Sequence, residues 1–156
     1  MKVMSIDPGN TESGFTLIET EPFTIIDFGK IDNDELLEKC YTVDYDYLAC
    51  EMVASYGMPV GQTIFDTCVW IGRFIEASVS REIPTEQLYR KTIVTHLCGT
   101  ARAKDTNVRR RLIDMYAQHD FKNGKGTKKN PDVLYGFKSD IYSALAVHTV
   151  FTETMK

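Results

Sequence analysis

Residues 1–15 read MKVMSIDPGNTESGF, an apolar run that ends on a carboxylate and meets Pro8-Gly9 and then Gly14. A strand entering a core seldom carries a charge, because taking an ionised group out of water is costly unless it is paired. The run up to Ile6 is rich in strand-forming residues, Pro8-Gly9 breaks it, and GFTLIET (14–20) resumes it. The stretch therefore reads as strand, tight turn, strand, with Asp7 at the mouth of the turn. FTIIDFGKI (23–31) follows a second break at Glu21-Pro22. Three consecutive strands with short connections make an antiparallel meander.

Outward from this meander the pattern changes. NDELLEKC (33–40) fits a short helix with Asn33 or Asp34 as its cap and Leu36 and Leu37 facing inward. YDYLACEMV (45–53) has an apolar middle behind acidic turn residues, as a buried strand does, and it ends near Glu51. Residues 60–81 form a long helix with Ile64, Phe65, Cys68, Val69, Trp70, Ile71, Phe74, Ile75 and Val79, too many apolar positions for one narrow stripe. Such a helix is either central to the core or buries a second face against another subunit. EQLYRKTIVTHL (86–97) reads as a fifth strand, and residues 104–118 as an amphipathic helix with Val108, Leu112, Ile113 and Tyr116 inward. Residues 119–136, rich in Lys, Gly and Asn, read as a mobile loop. In the last helix, SDIYSALAVHTVFTETM (139–155), the helical period puts Asp140, Ser143, Ala144 and Val147 on one face. The expected architecture is α/β: a five-stranded mixed sheet, three-strand antiparallel meander plus two parallel strands, flanked by helices.

At 156 residues, with 43% hydrophobic and 26% charged, the chain suits one soluble domain with a sizeable core. Cys40, Cys50, Cys68 and Cys98 form no CxxC pair, and His96, His119 and His148 complete no zinc pattern, so free thiols in a reducing compartment are expected. No run approaches the roughly 18 apolar residues of a membrane span. The net charge of -4 conceals a split: residues 1–86 carry 5 Lys and Arg against 16 Asp and Glu, whereas residues 87–138 carry 12 against 4. A basic half of this kind suits a polyanion on one face, although a solvated mixed surface would look the same.

Three acids fall where one fold would bring them together. Asp7 and Glu51 end two strands and Asp140 starts a helix. Clustered carboxylates raise one another's pKa, and a divalent cation relieves the repulsion. Hard oxygen ligands suit Mg²⁺ or Mn²⁺, and two such ions can activate a water and stabilise the leaving oxygen of a phosphodiester. Each acid also has a duller role: Asp7 can organise a turn, Glu51 can be a solvated strand end, and Asp140 can favour a helix N-terminus.

On these residues the sequence resembles a known family. MSIDPGNTESGF is similar to the first-strand motif of the RuvC-type Holliday junction resolvases of the RNase H-like superfamily, and ACEMV to the strand carrying their second acid. GTARAKDTNVRRRL and DIYSALAVH resemble the later helices, and the Lys-rich loop and small size resemble the bacteriophage-encoded branch. The resemblance implies a single RNase H-like nuclease domain spanning residues 1–156. It also implies a homodimeric endonuclease that cuts four-way DNA junctions with two Mg²⁺ or Mn²⁺ ions, in recombination or repair and in a bacterial host cytoplasm if phage-encoded. Asp7, Glu51 and Asp140 match three of the family's acids. Lys104, and less well Lys91, match basic residues beside the scissile phosphate.

Two positions depart from the family. The second acid of the last helix is replaced by Ser143, a neutral ligand, so one metal is expected to bind weakly. The family's wedge aromatic after the strand-four acid is Ala54, which leaves Tyr56 or Met58 as substitutes. Arg102, Arg109, Arg110, Arg111 and the loop lysines Lys122, Lys125, Lys128 and Lys129 are expected on backbone phosphates. A dimer is expected to use the surplus apolar face around Phe65, Val69 and Phe74. Rival readings are a less selective fork, flap or RNase H-like nuclease and a junction-binding protein without catalysis. DPGNTESG also resembles the phosphate loop of actin-like ATPases and sugar kinases, but those need two such domains.

Overall fold

The computed structural model describes residues 1–155. The elements run β1 (Lys2–Asp7), β2 (Glu12–Glu19), β3 (Thr24–Asp32), α1 (Asn33–Thr42), β4 (Tyr47–Met52), α2 (Gln62–Val79), β5 (Thr85–Tyr89), α3 (Arg90–Cys98), α4 (Asp105–Tyr116) and α5 (Ser139–Thr154). One sheet has the order β3-β2-β1-β4-β5. The first three strands pair antiparallel, while β4 joins β1, and β5 joins β4, in parallel. The expected α/β sheet, a meander plus two parallel strands, is what forms.

Strand alternation divides the core into two layers. Met4, Ile6, Phe15, Leu17, Leu48 and Cys50 point to one face, where Leu36 and Cys40 of α1 and Ile71, Phe74 and Ala77 of α2 cover them. Val3, Ile18, Ala49 and Leu88 point to the other, under α3, α4 and α5. Helix α5 is buried almost continuously from Ile141 to Phe151 and packs along β1 and β2. It is the central helix. Within it His148 is 2% exposed, and burial holds its imidazole down to about 4.

Four expectations are corrected. Residues 86–97 are not one strand, because β5 stops at Tyr89 and Arg90–Cys98 is helical. The β-branched residues suggested a strand, but Ile93, Val94 and Leu97 lie one helical turn apart and bury a single stripe, and Gly99 closes the helix at φ +78°. Asn33 does not cap α1; no side chain does, and Asn33 is buried against the turn after β1. Helix α2 is not a central helix: Phe74 is fully buried, whereas Phe65 is 55% and Val69 62% exposed on the opposite side. Phe74 therefore belongs to the core and not to the free apolar face.

Residues 119–136 are the fourth correction, since they are organised around one buried carboxylate. Asp132 accepts the backbone N–H groups of Gln118 at 3.0 Å, His119 at 3.0 Å, Asp120 at 2.7 Å and Val133 at 2.7 Å. Burial works against its charge, but these donors outweigh it and hold its pKa below the usual carboxylate range. Asp120 in turn accepts from Asn123 at 3.1 Å and Gly126 at 2.9 Å. Leu134 and Phe137 then anchor the segment in the core. Composition suggested a loose loop because Gly and Lys dominate it, while the two aspartates that order it look like ordinary surface acids.

Candidate active site

The site grows from the register of the sheet. Gly14 pairs with both Asp7 and Lys30, and Glu51 follows Cys50, the partner of Ile6. Alternation sends Lys30, Gly14, Asp7 and Glu51 to the face covered by α5, in one row across four strands. The first turn of α5 settles on that row because Gly14 has no side chain: a methyl there would collide with the Asp140 carbonyl oxygen and stand 2.7 Å from its carbonyl carbon. Asp140 consequently meets the row directly. The space in front of Gly14 is taken by the backbone of α5.

The turn that carries Asp7 is braced from behind. Asn33 donates to the Gly9 carbonyl at 2.9 Å and accepts from Ser13 Oγ at 2.6 Å, and Ser13 Oγ accepts the Gly9 N–H at 3.0 Å. Both Asn33 and Ser13 are 1% exposed. These buried, mutually satisfied groups fix the loop from Pro8 to Thr11 and with it the end of β1.

The two strand-end acids are strongly perturbed. Burial first, and then the charges of Glu51 and Asp140, push the Asp7 carboxyl up to about 8, with Arg90 opposing. Burial likewise raises Glu51, against the pull of Arg90 and a hydrogen bond shared with Asp7. Glu51 Oε1 is buried without a hydrogen-bond partner, and the Arg90 Nη1 atom lies 3.8 Å from it. An acid pair that cannot ionise together, with one oxygen left unsatisfied, fits a cation. Asp140 is paired with a cation, its carboxylate 2.7 Å from Lys30 Nζ. Among the described residues no three His, Cys, Asp or Glu side chains form a ready metal cage. Ser143, one turn along α5, lines a small cavity with Arg90, Asp105, Arg109 and Asp140.

Lys30 and Arg90 belong to this site although neither was expected from the sequence. Lys30 and Asp140 share a cleft of about 350 Å³ with Asp7 and Glu12. Arg90, the first residue of α3, is delivered beside Glu51 because β5 pairs with β4 up to Tyr89. It bridges Glu51 to Asp105 at the start of α4. Reading residues 86–97 as one strand hid Arg90, and Lys30 becomes visible only once the register with Gly14 is known.

The expected basic residues divide into two groups. Lys104 is exposed at the start of α4, its N–H bonded to Asn107 Oδ1 at 2.9 Å, and lines none of the cavities around the acids. Lys91, Arg102, Arg111, Lys122, Lys128 and Lys129 are exposed. Arg109 packs over the Tyr142 ring at 5.0 Å, and these two residues line both the Ser143 cavity and a second one that includes Asp120 and Lys125 of the 119–136 segment. Arg110 is engaged otherwise: it binds Asp114 at 2.7 Å and donates to the carbonyls of Phe121 and Lys122. Tyr56 is 62% and Met58 71% exposed in the loop after β4.

Thermus thermophilus RuvC superposes over 98% of this chain and 96% of its own, with TM-score 0.67 and 16% identity. The fold is that of the RuvC-type resolvases. T. thermophilus RuvC in complex with a Holliday junction substrate matches at TM-score 0.70 and 14% identity over 97% of this chain and 93% of that one. The Fowlpox virus resolvase, in complex with Holliday junction DNA, matches at 0.61 and 13% over the full length of both. No family profile matches the sequence, and no curated protein matches it either. The RuvC-type architecture is thus carried here at 13–16% identity to these structures.

Proposed function

We propose that this chain is a structure-selective DNA endonuclease that cleaves phosphodiesters of four-way junctions or related branched DNA. The observation that carries this reading is the half-buried pair Asp7 and Glu51 at adjoining parallel strand ends, with Asp140 brought onto the same row through Gly14. The likeness to RuvC-type structures solved with junction DNA supports the substrate class. Asp7, Glu51 and Asp140, with Ser143 as a neutral fourth group, would hold Mg²⁺ or Mn²⁺, and a pair of such ions would supply activation of a water and charge stabilisation for the leaving oxygen. Lys30 orients Asp140 and Arg90 balances Glu51, while Lys104, exposed at the start of α4, would meet the DNA outside these cavities. The cytoplasm, in a bacterial host if the chain is phage-encoded, would be its place of work.

The deciding experiment is cleavage of a four-way junction, a fork and a linear duplex by wild type and Asp7→Asn in Mg²⁺, Mn²⁺ or chelator. Paired, metal-dependent cuts on the junction that the variant loses support a resolvase, and equal rates on all three substrates mean a less selective nuclease. Ser143 and the Lys30–Asp140 contact favour a second reading, a junction-binding protein without catalysis. Tight junction binding with no cleavage in any metal would establish that instead.

The neutral Ser143 gives a further expectation. Ser143→Asp adds a charged ligand to the face of Asp140 and should lower the metal concentration for half-maximal activity, by about 10-fold if one weak ion limits the rate. An unchanged midpoint in a metal titration would remove Ser143 from the metal site.

Phosphate binding is assigned to Arg109, Lys125 and the exposed lysines Lys122, Lys128 and Lys129. Neutralising phosphates in this way releases counterions, so affinity should fall steeply with salt. Replacing the three exposed lysines by alanine should flatten the log–log salt slope by about 0.9 for each phosphate that is no longer neutralised. Anisotropy titrations across a salt series measure this directly, and an unchanged slope would place the DNA elsewhere.

We assign the exposed face of α2, around Phe65 and Val69, to a symmetric homodimer that would address both strands of a junction. Phe65→Glu combined with Val69→Glu should yield a folded monomer in sedimentation. A dimer that survives both charges would exclude this face.

A further inference from the structure

The row of acids is closed at each end by a basic residue that has a second carboxylate within reach. Arg90, at the β5 end, is hydrogen-bonded to Asp105 and stays 3.8 Å from Glu51 Oε1, which has no hydrogen-bond partner among the described residues. Lys30, at the β3 end, is engaged the other way, with Nζ 2.7 Å from Asp140 Oδ2. One end of the row therefore offers an open carboxylate oxygen, and the other a carboxylate that is already occupied.

The second carboxylate for Lys30 is Glu12. In the β2–β3 ladder Gly14 pairs with Lys30 and Glu12 with Asp32, so Glu12 lies diagonal to Lys30 on the same face. Diagonal neighbours of an antiparallel pair stand about 7–8 Å apart, a gap that a lysine side chain can span. Glu12 is exposed, and it lines the cleft of about 350 Å³ together with Asp7, Asp140 and Lys30. Three acids there face one ammonium. The side chains of Lys30 and Asp140 are 49% and 36% exposed, and an ion pair in contact with water is weak and readily exchanged.

Resting on the nuclease reading, we propose that Lys30 competes with the divalent cation for Asp140, and that Glu12 takes the ammonium when the cation binds. In the free protein Lys30 neutralises Asp140 and holds it toward β3, in keeping with the lack of a ready three-ligand cage among the described residues. Gathering Asp140 with Asp7 and Glu51 around a cation requires this pair to break, because an ammonium kept on Asp140 would repel the cation. Transfer to Glu12 removes that repulsion without leaving Lys30 unpaired. Lys30 and Glu12 then set the metal concentration at which the site fills, whereas Ser143 acts as a ligand within it.

The test is Mn²⁺ binding to the DNA-free protein, measured by titration calorimetry and by loss of the free-ion EPR signal, counting the ion that Asp140→Asn removes. Lys30→Met should tighten that ion by up to about 5-fold, the size of one exposed ion pair. Lys30→Arg keeps the competitor and should stay near wild type. Glu12→Gln should weaken Mn²⁺ when Lys30 is present, by no more than about the same factor, and should change nothing in the Lys30→Met background. Equal effects of Glu12→Gln in both backgrounds would mark a general charge in the cleft and overturn the exchange. Binding by Lys30→Met that is no tighter than wild type would overturn it as well, and either result leaves the nuclease reading intact. Absence of Mn²⁺ binding in wild type and in every variant would overturn both.

Discussion

Asp7→Asn is expected to abolish cleavage and, in the metal-free protein, to raise the melting temperature at pH 8. The loss of activity follows from removing the central acid of the site. Changing groups one step removed from a metal typically costs 10–100-fold in affinity or activity, at about that order, so losing the acid itself should cost more. The gain in stability follows from linkage. Folding lifts the Asp7 pKa from 3.8 to about 8, so between those values the folded chain binds more protons than the unfolded one. The stabilising contribution is complete below the unfolded value and is lost as the pH rises through about 8. Asparagine has the shape of the protonated acid without the titration. Wild type should therefore lose stability relative to the variant from pH 5 to pH 9, by an amount on the order of a few kcal/mol. Added Mg²⁺ or Mn²⁺ should stabilise wild type and not the variant. Melting curves across pH, with and without metal, test both halves, and a constant difference between the two proteins would contradict the burial and repulsion assigned to Asp7.

Gly14→Ala should be nearly as damaging, although it changes no functional group. A methyl at that position would overlap the Asp140 carbonyl and lie 3.0 Å from the Asp140 Cβ. Its neighbour is the backbone of a helix buried along most of its length, so no flexible side chain can yield. Overpacking of this kind costs about 1–3 kcal/mol, and relief requires the start of α5 to lift away from β2. Asp140 would move off the row it shares with Asp7 and Glu51, and a displacement of about 1 Å can cost roughly 100-fold in rate. Unfolding and cleavage assays on this variant should show both losses. A stable, fully active Gly14→Ala protein would mean that the close approach does not position Asp140.

The likeness to RuvC-type resolvases was legible in one short stretch. MSIDPGNTESGF shows its strand, turn and acid because turn chemistry and period-two alternation are local properties. The later motifs were weaker, and the strand expected over residues 86–97 holds only as far as Tyr89. Thr, Ile and Val in RKTIVTHL favour strands locally, but the α3 stripe of Ile93, Val94 and Leu97 packs on the layer formed with α4 and α5, and that tertiary packing overrides the local preference.

The sequence by itself determined the meander, the existence of the fourth strand, and the placing of Asp7 and Glu51 at strand ends and Asp140 at a helix start, because each rests on a pattern within about ten residues. Only the tertiary structure decided what surrounds those acids. Lys30 reaches Asp140 through the β2–β3 register, Arg90 reaches Glu51 through the β4–β5 pairing, and Asn33 turns away from its helix to hold Gly9. Gly14 serves α5 and not a ligand, and Tyr56 faces the α3–α4 connection across a loop. Each of these interactions joins segments distant in the chain, and its geometry exists only after the sheet has paired and the helices have packed on it.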